Sequence, residues 1–285
     1  MPFSPQLLTS NLDRKEHALR ARLISLGSVL VAYSGGTDSA FLAWSAREVL
    51  GEKMLGVLAD SPSLPRRELK LAVEFAERWH IPLTVIATQE MDRPEYARND
   101  SGRCFHCKDE LFTFLEKKRA ELGFRHIAYG KNLDDQTDFR PGQRAAEHHN
   151  VLSPLAEARL TKNDVRALSQ RAGLQIWNKP ASACLASRIE YGRPVTREAL
   201  AAIEAGEDAL RDLGFQQARV RHHGDIARIE IAREDLPRAF NPEMAARLVP
   251  LFKNLGFKYV TLDCEGYRSG SMNAVLPIQQ IRMAN

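Results

Sequence analysis

Cysteine is scarce in this 285-residue chain, with four in all. That number cannot form a disulfide framework for a chain this long, least of all in a reducing compartment. Long apolar runs are missing too. The longest, residues 28–33, is strand-sized and gives way at once to Ser, Gly and Asp, so no segment is long enough to span a bilayer. The opening MPFSPQLLTSNLDRKEHALRARL alternates apolar and charged residues at helical spacing and has no apolar core before a cleavage site. A signal peptide is therefore not expected, and the cytoplasm is the expected compartment. A marked excess of one charge is also absent: 40 Lys and Arg stand against 36 Asp and Glu, a net charge of +4, too mild to indicate nucleic acid as a partner. There are no internal repeats or low-complexity segments. Neither of the common phosphate loops is present, since no GxxxxGKS or GxxxxGKT string occurs and no GxGxxG follows the first strand.

What is present alternates. Residues 28–33, 54–59, 83–87 and 126–129 are short runs rich in Val, Ile and Leu and predict buried strands; helical patterns at 39–50, 66–79 and 109–122 lie between them. After an N-terminal helix, this predicts an α/β fold, a parallel sheet with helices on both faces, because parallel strands need a crossover. A helix at 162–172 and a polar, Pro-containing loop at 178–194 follow. The pattern then changes to helix (197–213), strands (217–222 and 227–231), helix (242–254) and strand (258–262), a smaller α+β module of three antiparallel or mixed strands. With 44% hydrophobic residues the chain can bury two cores, and two domains are expected, 1–190 and 191–285. Ligands of parallel sheets bind beyond the carboxyl ends of the strands. SGGTDS (residues 34–39), Asp60-Ser61 and Gly130-Lys131-Asn132 all fall there.

In SGGTDS two glycines let backbone N–H groups approach a ligand, and the following helix presents its positive end, which suits an anion. An ordinary strand-to-helix turn with an Asp cap is the simpler reading. The form SGGxDS resembles the signature of the PP-loop ATP pyrophosphatases. The resemblance implies that Ser34, Gly35, Gly36 and Ser39 cradle pyrophosphate, that Asp38 helps to hold Mg²⁺, and that ATP is cut between its α and β phosphates to adenylate a substrate. Ala32 and Gly130, at neighbouring strand ends, join the nucleotide set, and Asp60 and Ser61 line the adenosine side; a helix N-cap is the other reading of Ser61. Adenylation replaces a very poor leaving group by AMP, and the protein need only position phosphates and neutralise developing charge.

Four further stretches follow in order: RCFHCK at 103–108, GKNLDDQTDFRPG at 130–142, PASACLASRIEYG at 180–192, and Arg219-Val220-Arg221. Together they resemble the LarE family of ATP-dependent sulfur transferases, from about residue 10 to residue 270. The resemblance implies adenylation of a carboxylate of pyridinium-3,5-biscarboxylic acid mononucleotide and its conversion to a thiocarboxylate, in nickel-pincer nucleotide cofactor biosynthesis. It implies a homo-oligomer and leaves the sulfide source unnamed. In one branch of the family a single cysteine, matched here by Cys184, gives up its own sulfur. In another, three cysteines, matched by Cys104, Cys107 and Cys184, hold a 4Fe-4S cluster. Three thiolates leave one iron open to a further ligand, whereas four close the cluster. Cys104 and Cys107 are also compatible with zinc, completed by Cys184, His106, His126 or the His148-His149 pair, or with plain structural thiols. Cys264 is read as a bystander.

Arg219 and Arg221 alternate along a strand and so share a face. A guanidinium pair suits a nucleotide phosphate, although a solvated strand face has the same spacing. The family resemblance favours phosphate; Ser187 and Arg188, beside Cys184, would lie near the reacting carboxylate, and Glu207 takes a position that the family uses near the active site, although an ordinary helix-surface Glu has the same look. A tRNA thiolase is the nearest rival, but the second CxxC or strongly basic surface usual in such enzymes is missing; an amide synthetase has no need of the three cysteines.

Overall fold

In the computed structural model, residues 10–136, 141–180, 182–268 and 272 are described; residues 1–9, residues 137–140 of the GKNLDDQTDFRPG stretch, Ala181 of PASACLASRIEYG and the remaining C-terminal positions lie outside them. The first half runs α1 (Asn11–Leu26), β1 (Val29–Ala32), α2 (Thr37–Leu50), β2 (Met54–Asp60), α3 (Arg66–Arg78), β3 (Leu83–Ala87), α4 (Pro94–Ala97), α5 (Arg103–Leu122) and β4 (His126–Tyr129). Then come α6 (Pro141–His148), α7 (Pro154–Glu157), α8 (Lys162–Arg171), α9 (Arg197–Asp212), β5 (Ala218–His223), β6 (Ile226–Ile231), α10 (Leu236–Ala239), α11 (Pro242–Asn254) and β7 (Tyr259–Leu262). Among the described residues no helix is long and apolar enough to cross a membrane.

The first sheet has the order β3-β2-β1-β4 and every pairing is parallel. Side chains alternate across a strand, so β1 serves two cores. Val29 and Val31 pack with Leu19 and Leu23 of α1, Phe41 of α2 and Leu168 of α8. Leu30 points the other way, into Val57, Phe112, Leu115 and Ile127. Helices therefore cover both faces, and a run with no polar alternation is what a strand buried on both sides requires. Capping boxes start α1 at Ser10 with Asp13 and α8 at Thr161 with Asp164. The start of α2 is different, because its N-cap, Gly36, offers no side-chain cap.

The second sheet, β5-β6-β7, is mixed: β5 and β6 are antiparallel, β6 and β7 parallel. Ile203 and Leu210 of α9 and Leu248 and Phe252 of α11 pack with its Val220, Ala227 and Ile229. Tyr96 of α4 and Leu185, Ala186 and Ile189 belong to this same core.

Most elements lie within two residues of the sequence-based bounds. Two do not. The helix expected at 109 starts at Arg103, where the N-cap Gly102 makes no side-chain cap to mark it; and α6 arises from PGQRAAEH, too short and polar to show a clear apolar period. The loop expected at 178–194 contains a 3₁₀ turn, Leu185–Arg188.

Candidate active site

The turn after β1 is shaped by close approach. Gly35 has φ +69°, and a Cβ there would sit 2.4 Å from the Cβ of Ala72. At the end of β4, a Cβ on Gly130 would come 2.6 Å from the backbone N of Ser39. Glycine at both positions lets β4 and α3 close on the loop. Inside it, the backbone N–H of Ser34 donates to Ser39 Oγ at 3.1 Å, and Ser39 Oγ donates to the Gly36 carbonyl at 3.1 Å. With no side chain capping α2, its amino end is open to an anion.

Two cavities meet at this loop. A smaller one, of about 310 Å³, is lined by Ala32, Ser34, Gly36, Asp38, Ser39 and Gly130, with Tyr129 and Lys131. The larger, of about 790 Å³, shares Ser34, Gly36 and Asp38 and continues past Ser61, Lys162 and Lys179 to Cys104, Cys107 and Cys184. Asp38 Oδ2 pairs with Lys162 Nζ at 2.6 Å, while Oδ1 is buried without a hydrogen-bond partner. A carboxylate oxygen in that condition fits a cation ligand, as Mg²⁺ would require. Lys179 Nζ donates to the Gly35 carbonyl at 2.9 Å and pairs with Glu68 at 2.8 Å, holding the loop from the other side.

The thiol end is assembled from two places in the chain. With α5 starting at Arg103, Cys104 and Cys107 lie one helical turn apart on the same face. Cys184 precedes the Leu185–Arg188 turn, which is bound to the rest by the Leu185 N–H donating to the Ser63 carbonyl at 2.8 Å. Arg103, buried, donates to the Ala186 carbonyl at 2.8 Å and to Asn99 Oδ1, joining the two parts. A thiol in the first turn of a helix ordinarily ionises more readily. Here burial, and after it Cys184, Glu90 and Cys104, push the Cys107 thiol well above its usual range. Cys104, the most exposed of the three residues, is also raised, by packing around its sulfur and by Cys184, against the opposing charges of Arg103 and Lys108. Burial alone would lower the Arg103 pKa, but Cys184, Cys104, Tyr96 and Tyr191 more than offset it, so the guanidinium is a permanent cation among the thiols. The donor set suits a thiolate-bound metal centre that must displace protons on binding.

Behind Cys184 stands a buried ion pair. Arg188 Nε donates to Glu207 Oε1 at 2.9 Å, and its Nη1 donates to the Ala183 and Cys184 carbonyls at 2.6 and 2.9 Å. Glu207 also accepts from the Val220 N–H at 3.2 Å, so one carboxylate ties α9, β5 and the cysteine turn together. Ser187 Oγ donates to the Cys184 carbonyl at 2.7 Å. Arg221, buried, pairs with the fully buried Glu230 at 2.7 Å and reaches the Ser187 carbonyl at 3.5 Å. Arg219 stacks over Tyr267, 5.2 Å from the ring centre, and burial followed by Arg188 lowers its pKa. Arg221 thus touches the cysteine turn, and both arginines lie outside the linings of both cavities. Asp60 is ion-paired with Arg66, and Ser61, buried, donates to Glu90 and accepts from the Ser63 N–H at 2.9 Å. Ser61 lines the larger cavity; Asp60 lines neither. The His148-His149 pair lies with Asp109 and lines neither cavity.

Sequence reasoning passed over several residues that shape the site. Arg103 and Lys108 flank the CxxC and were legible only as its neighbours. Lys162, Lys179 and Tyr96 carry no local signal; folding alone brings them to the cavity.

No family model matches the chain. An uncharacterized protein of Synechocystis sp. is 42% identical to it over 265 residues, 93% of this chain and 99% of that protein. The pyridinium-3,5-bisthiocarboxylic acid mononucleotide synthase of Lactiplantibacillus plantarum is 36% identical over 275 residues, 95% of this chain and 98% of that enzyme. More distantly, a glutamine-hydrolyzing GMP synthase of Aeropyrum pernix is 27% identical over 207 residues, 64% of this chain and 39% of that enzyme.

Proposed function

The chain belongs to the LarE family of ATP-dependent sulfur transferases, and from that premise we propose that it adenylates a carboxylate of pyridinium-3,5-biscarboxylic acid mononucleotide and converts it to a thiocarboxylate for a nickel-pincer nucleotide cofactor. The observation that carries this reading is that one cavity is lined at one end by the SGGTDS loop and at the other by Cys104, Cys107 and Cys184. A carboxylate oxygen attacks the α-phosphate of ATP held at Ser34, Gly35, Gly36 and Ser39, and pyrophosphate departs; Mg²⁺, which Asp38 would hold, would neutralise the charge that builds on it. A sulfur nucleophile then attacks the acyl carbon, and AMP leaves with the former carboxylate oxygen. The large cavity has room for the acyl group between these two ends.

We assign the 4Fe-4S cluster to Cys104, Cys107 and Cys184. All three line the same cavity, two from one turn of α5 and one from the start of the Leu185–Arg188 turn. A cluster held by three thiolates supplies an open iron position for a sulfide ligand. Ser187 and the Arg188–Glu207 pair position the cysteine turn, and Arg219 and Arg221 take the substrate phosphate, Arg221 acting from beside Ser187. In this scheme residues 1–190 bind the nucleotide and residues 191–285 the substrate, in a cytoplasmic homo-oligomer.

Anaerobic reconstitution with iron and sulfide tests the cluster: uptake of both, lost when any of the three cysteines becomes serine, supports it, and a colourless protein without iron overturns it. In the second case, mass spectrometry after turnover shows whether Cys184 has become lighter by H₂S. Pyrophosphate release from ATP that depends on the added mononucleotide tests the adenylation step separately.

A further inference from the structure

Outside the linings of both cavities, α5 and the end of α6 bring together another set of ligating side chains. His149 Nε2 lies 3.1 Å from Asp109 Oδ1, and His148 Nδ1 lies 3.8 Å from the same oxygen. One ligand atom from each of the three residues falls within 4.8 Å of the other two, a closeness matched by no other trio of His, Cys, Asp or Glu among the described residues. We propose that Asp109, His148 and His149 form a binding site for a first-row divalent cation of the zinc type, with Glu116 as the outer partner that orients His149.

The spacing fits the ion. Bonds of ~2.0–2.1 Å in a tetrahedron place neighbouring ligand atoms about 3.3 Å apart, and the separations of 3.1 and 3.8 Å bracket that length. Two imidazoles and one carboxylate suit Zn²⁺ or Co²⁺, which accept nitrogen and oxygen, better than the hard cations Mg²⁺ and Ca²⁺. His148 is largely exposed, so a water can reach a fourth position.

The surroundings of His149 add an independent reason. Its ring is nearly buried, with Nε2 toward Asp109 and Nδ1 at 3.2 Å from Glu116 Oε1. A neutral imidazole has one N–H and can satisfy one of these carboxylates; the other contact needs a second proton or a metal ion between nitrogen and oxygen. With Nδ1–H given to Glu116, Nε2 is the ligand. That is the carboxylate–histidine–metal relay by which outer partners fix a ligand's tautomer and direction. Asp109 is prepared in a similar way. Arg93 holds its Oδ2 at 3.3 Å, which leaves Oδ1 to face both histidines.

The site would act as a clip. Asp109 follows Cys107 by two residues on α5, while His148 ends α6 and His149 follows it, and Gln143 of α6 lines the smaller cavity. An ion here binds the wall of the nucleotide site to the helix of the thiols. The inference is independent of the sulfur chemistry, since none of its four residues lines either cavity.

Co²⁺ titration of the intact chain is the test, because sulfur-to-cobalt charge transfer reports the thiols and visible ligand-field bands without it report a nitrogen and oxygen site. The expected result is one Co²⁺ of the second kind, displaced by Zn²⁺. His148→Ala, at a largely exposed position, should weaken it by roughly tenfold or more. Glu116→Gln should weaken it by ~10–100-fold. The Zn²⁺-induced rise in thermal midpoint should shrink in both variants. If His148→Ala does not fold, Glu116→Gln and the native spectrum carry the same comparison. Co²⁺ bound only through thiolates, or equal affinity in the native chain and the variants, overturns the proposal.

Discussion

The two ends of the large cavity are built by opposite means. The SGGTDS end is built on one turn that presents backbone N–H groups, exposed by glycines and an uncapped helix. The thiol end joins residues some eighty positions apart and depends on side chains: Arg103 bridges its two parts, and the Arg188–Glu207 pair supports one of them. A backbone site is fixed as soon as its strand and helix form. A side-chain site is only as well placed as the buried charges behind it.

This contrast predicts that the two ends fail separately. Cys184→Ser should produce the largest effect, with thiocarboxylate falling to the uncatalysed background while substrate-dependent pyrophosphate release continues; loss of both activities would show that the ends are not independent. Arg188→Met should come next. It leaves Glu207 buried and unpaired, which costs about 3–5 kcal/mol. Thermal denaturation should show a fall in Tm of roughly 10 °C, and ATP affinity of the folded fraction should be nearly unchanged.

Gly130→Ala tests the other end. Its Cβ would collide with the backbone of Ser39, and relieving an overpacked contact costs ~1–3 kcal/mol. Expressed at the site, this raises the Kd for ATP roughly tenfold to a hundredfold by isothermal titration, with the cysteines still able to take up iron. The smallest effect is a pH dependence. Because burial raises the Cys107 pKa, the folded chain keeps a proton that an unfolded thiol loses above ~8.5. The associated stability is complete below about pH 8.5 and declines as pH rises beyond it. Alkylation of Cys107 in the apoprotein should accordingly keep accelerating above pH 9.5, where an ordinary thiol has levelled off.

The phosphate end was legible in the sequence for the same reason that it is robust. Strands β3 and β4 match the expected 83–87 and 126–129, because apolar runs bounded by turn residues leave little choice. Gly130 and Ser39 belonged together on strand-end reasoning alone. The thiol end was legible in its ligands and not in its supports. Glu207 looks like any acid on an amphipathic helix, yet it is buried, since only the arriving Arg188 makes its burial tolerable. The start of α5 was missed because no capping side chain announces it. Arg219 and Arg221 do alternate on β5, but the spacing gave no sign of Glu230, which faces Arg221 from β6.

Tyr96 stands in the first half of the chain and packs in the core of the second. Its neighbours Ala97 and Asn99 accept the backbone N–H groups of Val195 and Gly192. A strap of this kind makes the two sheets hostage to each other: heat cannot peel one away and leave the catalytic chamber half standing. A calorimeter should record a single melting event, and damage to the small sheet should appear as lost nucleotide binding far from where it was inflicted.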